Sequence, residues 1–184
     1  MKSLMKMALV LPFLSLAACV ETTAPLCDAS NKADVVGFDR QYVLSTSFDP
    51  SKDVESTQIK IERLGVGEYT AGGSEISTCR LGRFNVAEQK TKFGTYEQSI
   101  VSVDPAGATS LNQLLVDAKA LAAGGVSYEI VERETGPKQK QWARSFGQLT
   151  NNKQKVMIIN TDSPAARAVI EQNAKLSAFG ISMY

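Results

Sequence analysis

The sequence predicts an α+β fold: an antiparallel β-meander, curved into a sheet or partly open barrel, followed by two helices and a few further strands. Three observations carry this expectation. Short stretches in the first half alternate apolar and polar residues and are bounded by Gly, Asp or Ser, which is the period-2 signature of half-buried strands. The pattern changes at Asp104-Pro105 to apolar residues at helical spacing. The helices then follow the meander instead of interleaving with every strand, which argues against a doubly wound sheet.

In order, "QYVLSTSF" alternates Tyr42, Leu44, Thr46 and Phe48, and a turn on Asp49-Pro50 separates it from "TQIKIERL", where Ile59 and Ile61 alternate with Lys60 and Glu62. The pieces "GEYTA", "ISTCRL", "RFNVAEQ" and "YEQSIVSV" continue the meander. Leu111, Leu114, Leu115, Ala118, Leu121 and Ala122 then fall at helical spacing, with Thr109 or Ser110 as cap and Gly124-Gly125 as stop. "VSYEIVER" returns to alternation, with Val126, Tyr128, Ile130 and Glu132 on one face. A hairpin turning at Asn151-Asn152 leads into the apolar run "VMII". Thr161 or Ser163 caps a second helix with Pro164 in its first turn, and "LSAFGISMY" reads as a terminal strand.

The composition excludes several function classes. The chain has no histidine, which removes Ser-His-Asp and Cys-His catalysis, His-based metal sites and the commonest general base near neutral pH. The glycines of "LGVGEYTAGG" lie in turns between strands, without the spacing of a phosphate-binding loop. No calcium-loop spacing and no metal or cofactor site is read from the sequence. No Ser-x-x-Lys motif follows the first ten residues, so an enzyme built here would run on carboxylates.

The amino-terminal segment sets a compartment. Lys2 and Lys6 precede an apolar stretch from Met7 to Leu14, interrupted by Pro12, and then small residues, the order of a secretory signal too short to span a bilayer. "LAAC", Leu16 to Cys19, resembles the lipobox of bacterial lipoproteins, and the resemblance covers residues 1–19 only. It implies cleavage before Cys19, a diacylglyceryl thioether on that cysteine and acylation of the new terminus. Each buried methylene contributes roughly 0.8 kcal/mol, so three acyl chains would fix the protein at a membrane. Val20, where retained lipoproteins carry Asp, is similar to outer-membrane cargo. The ordinary alternative is a signal cleaved near Ala17 or Ala18, with Cys19 a plain thiol.

The resemblance implies a signal peptide over residues 1–18, and the residue pattern beyond it reads as a lipidated tether over 19–34 and one globular domain over 35–184. Removing the signal leaves 166 of 184 residues, with 18 basic side chains against 19 acidic, a balance unlike that of a nucleic-acid binder. With Cys19 assigned to lipid, Cys27 and Cys79 remain as an even pair in an oxidising compartment and are expected to form a disulfide. Closing a loop of about fifty residues is worth roughly 4 kcal/mol in the chain-entropy model. Both as small buried hydrophobes is the competing reading.

Two stretches are candidates for chemistry. Lys138, Lys140, Trp142 and Arg144 recur at every second position, so an extended backbone would gather three cations and the sole tryptophan on one face, suited to anionic glycan, lipid headgroups or an acidic partner. A loop with Trp142 folded into the core is the plainer reading. Glu129, Glu132 and Glu134 cluster just before, and Glu132 with Glu134 would share a strand face, as a carboxylate pair for glycoside cleavage requires. Solvated acids balancing the adjacent cations explain them more simply.

These readings converge on a lipid-anchored envelope module facing the periplasm from the outer membrane. It would act without catalysis as a binding, scaffold or protective accessory to an envelope protein or glycan. A carboxylate-dependent envelope hydrolase and a lipid- or small-ligand-binding sheet are the alternatives.

Overall fold

The computed structural model describes residues 19–46, 55–134 and 153–183. Among these residues the fold is mostly β, with one open, mixed sheet of eleven strands and two short helices, so that α+β fits only loosely. The predicted meander is present. Strands β2 (Gln41–Thr46), β3 (Glu55–Gly65), β4 (Glu68–Ala71), β5 (Ser74–Leu81), β6 (Phe84–Lys90) and β7 (Tyr96–Val103) pair antiparallel with their sequence neighbours. Glycines make the tight turns. At Gly67, φ is +63° and a Cβ would lie 2.5 Å from the Thr78 carbonyl oxygen, so both conformation and contact demand glycine.

The sheet forks at β7. Along one edge, Tyr96 and Glu97 pair with β1 (Cys19–Thr22), while Ser99 to Val103 pair with β8 (Thr109–Leu115). One branch continues from β1 to β10 (Lys153–Ile159), in parallel, and on to β9 (Tyr128–Glu134). The other runs from β8 to β11 (Lys175–Met183).

Two expectations are corrected here. The helix predicted from Thr109 or Ser110 onward is only α1 (Ala118–Ala123), capped by Asp117, whose side chain accepts from the Lys119 amide. Leu111, Leu114 and Leu115 belong to β8 instead. Two flanking strands satisfy that backbone on both sides, and non-local pairing overrides the local helical spacing. The second correction concerns residues 19–34, expected as a tether. They form β1 and a packed segment, with Val20, Leu26 and Cys27 buried. The second helix, α2 (Pro164–Asn173), matches its prediction, with the Ser163 hydroxyl accepting from the Ala166 amide.

The sheet divides the apolar interior in two. One core contains Leu26, Val86, Ile100 and Leu114 under Leu121 of α1 and Ile170 of α2. The Cys27–Cys79 disulfide lies within it, joining residues 52 apart in sequence. The second core, on the other face, is built around Phe38, Tyr42, Ile61, Tyr69 and Val101. Phe38 and Tyr69 meet edge to face with centroids 5.2 Å apart, and the Tyr42 hydroxyl is 3.0 Å from that of Thr109.

Candidate functional site

A cleft of about 260 Å³ opens beside the second core. Its position follows from strand alternation. The registers Ile61↔Ala71, Ala87↔Ser99 and Gln89↔Glu97 bring these side chains to one face of the sheet. Ala71, Ala87 and Ser99 are small and leave a hollow, which Phe38, Ile59, Ile76 and Leu111 wall with apolar surface. Gln89 and Glu97 supply exposed polar side chains at its rim, and Ser99 and part of Glu88 also belong to the lining.

Glu97 has no hydrogen bond or ion pair among the described residues. Its side chain is exposed at the rim of the cleft, with protein atoms displacing part of the water around the carboxyl. That loss of water, with the Glu21 carboxylate second, raises its pKa, and Arg133 opposes the shift. Glu21 faces Glu97 directly across the β1–β7 ladder and is satisfied by others. Arg133, from β9, pairs with it at 2.5 Å, the Thr95 hydroxyl donates to it, and the guanidinium stacks 4.1 Å from the centroid of Phe93. The side chains of Glu21 and Arg133 are only 7% and 14% exposed, so this is an internal ion pair.

On the opposite face, Glu88 has a structural part. It accepts from the amides of Leu26, at 2.7 Å, and Cys27, at 3.4 Å, and from the Gln98 side-chain nitrogen at 3.1 Å. Burial raises its pKa despite these bonds. Glu88 thereby holds the disulfide-bearing segment to β6.

The sequence-predicted residues are distributed differently. Cys19 opens β1 opposite Val156 of β10, and Cys27 and Cys79 are joined. Lys138, Lys140, Trp142 and Arg144 lie outside the described residues, as do the Asp49-Pro50 and Asn151-Asn152 turns. Glu129, Glu132 and Glu134 lie on β9, with Glu129 on the face of Val131 and Arg133 and Glu132 on the reverse. Neither Glu129 nor Glu132 lines the cleft.

Glu97, Glu21 and Arg133 were not singled out by sequence. "YEQSIVSV" does show Glu97 and Ser99 leading the face that continues through Val101 and Val103. Nothing local marks Glu21, because its partners are 76 residues away at Glu97 and 112 away at Arg133.

Chemically the cleft offers apolar walls with the Glu97 carboxylate, the Gln89 amide and the Ser99 hydroxyl beside them. Among the described residues no group of three His, Cys, Asp or Glu is placed to hold a metal, and no helix is long and apolar enough to cross a membrane. Fold and cleft together define an open, mostly β domain with a ligand-sized hollow on one sheet face. No protein-family model, curated protein or solved structure matches the chain.

Proposed function

We propose that the protein is a lipid-anchored module of the bacterial cell envelope that works by binding, not by catalysis. The observation that carries the binding half is the cleft: an apolar hollow with the Glu97 carboxyl, which has no ion pair among the described residues, at its rim. Such a site is suited to orient and retain a ligand with an apolar body and one polar end. The lipobox-like Leu16 to Cys19 supports the anchor, and the internal disulfide fits an oxidising compartment. Val20 favours the outer membrane, with the domain facing the periplasm. An acylated Cys19 would hold the body against the bilayer, because β1 begins at that residue and leaves no slack. The partner is an envelope protein or glycan, or an apolar molecule carried for one.

Two measurements test the two halves. Metabolic labelling with an alkyne fatty acid, in a host with lipoprotein maturation, should tag the protein and should fail for Cys19→Ala, which should leave the membrane fraction. A photo-crosslinking amino acid at Gln89 should capture a discrete partner or ligand from the envelope. Labelling that persists in Cys19→Ala overturns the anchor, and an uncrosslinked Gln89 variant overturns the cleft as the working surface.

A further inference from the structure

We propose that the cleft takes a small single-chain amphiphile with a protonated amine, its alkyl chain lying on the apolar walls and its ammonium on the carboxylate of Glu97. This deepens the binding reading and rests on it.

Size sets the first limit. At about 260 Å³ the hollow lies just below the range of drug-sized sites. At about the volume of one water molecule per methylene, it admits roughly eight methylene groups. The lining sets the second. Phe38, Ile59, Ile76 and Leu111 offer only carbon, so the buried part of the ligand carries no polar group that would lose its hydration unpaid.

Charge sets the third. Three ionic groups meet at the polar side: Glu21, Glu97 and Arg133. Arg133 is committed to Glu21 and to the ring of Phe93, and Thr95 takes a further Glu21 site. Among the described residues Glu97 is therefore the acid left over, and these three groups carry one net negative charge when ionised. A ligand carboxylate is repelled there, and a hydroxyl gains a single neutral hydrogen bond. An ammonium gains charge-assisted bonds to Glu97, with the Gln89 amide directly across the ladder as a further acceptor.

The test is photo-crosslinking of the intact protein in isolated envelopes. Three diazirine-bearing probes of equal chain length are compared: octylamine, octanol and octanoate. Labelled peptides are mapped, and cleft peptides from residues 84–90 and 96–111 are normalised to the remaining peptides of the same molecule. The expected result is labelling of the cleft by the amine in about fivefold excess over the other two, as one partly screened ion pair would give. Unlabelled octylamine should compete and octanoate should not. Glu97→Gln, with unchanged melting temperature, should bring amine and alcohol level, and Ser99→Leu should reduce all labelling by filling the hollow. Equal labelling of the cleft by all three probes overturns the amine assignment and leaves the binding reading standing. Absence of cleft labelling by any probe, with other peptides labelled, overturns both.

Discussion

The two faces of the sheet are made by the same strands and do opposite things. On β6 and β7, Val86 and Ile100 enter the core beneath the helices, while Ala87 and Val101 contribute to the core beside the cleft. The first face is closed by α1, α2 and the segment around Leu26, and is pinned by a disulfide. The second is covered partly by Phe38 and β2 and left hollow where small residues stand in line. A one-residue step along a strand thus separates a surface that stores stability from one that can exchange its contents.

The largest test of this division is the disulfide. Cys27→Ala with Cys79→Ala should lower the free energy of unfolding by about 4 kcal/mol, read as a drop in urea midpoint under non-reducing conditions. Breaking the internal ion pair comes next. Arg133→Ala strands the Glu21 carboxylate and should cost about 3 kcal/mol, whereas replacing both with apolar residues of similar volume should recover most of it. Truncations should then separate the faces directly. Leu114→Ala in the closed core should cost about 3 kcal/mol and Ile76→Ala on the cleft wall about 1, because a half-exposed side chain has less burial to lose. Equal costs would show that the cleft wall carries as much of the fold as the closed core.

The smallest effect is on pH dependence. Glu88 and Glu97 have folded-state pKa values raised above the ordinary 4.5, so the unfolded chain releases these protons first. Their stabilising contribution is complete below 4.5 and declines as pH rises from there through the folded values. Asp28 acts in reverse. The Ser30 hydroxyl and amide, with Arg167, hold it at about 2 against an ordinary 3.8, so its contribution is present above 3.8 and lost as pH falls through about 2. Urea midpoints for Glu88→Gln should lose part of the decline above pH 4.5 and keep the acid-side loss. An unaltered profile would remove Glu88 from the account.

Which elements could be read from sequence follows the range of their contacts. The meander and α2 announce themselves because alternation, turn glycines and the Ser163-Pro164 start are local signals. The β8 segment does not, since Leu111, Leu114 and Leu115 satisfy helical spacing equally well and only β7 and β11 decide between the two. Residues 19–34 look like a polar leader, yet β1 is fixed by β10, far along the chain. The cleft suffers for the same reason. Its small residues look ordinary one by one, and the charge balance that leaves Glu97 unpaired needs β1 and β9 in place.

The fork at β7 also imposes an order in time. A chain that emerges amino terminus first exposes Cys19 to Thr22 at once, but the parallel partner, Val156 to Ile159, arrives 137 residues later. Until then the strand pairing of β1 is limited to the two-residue edge at Tyr96 and Glu97, because β8 pairs with the remainder of β7. Such long-range pairing is slow to form. The first strand of the sequence is thus among the last to complete its pairing, because its parallel partner is made near the end of the chain.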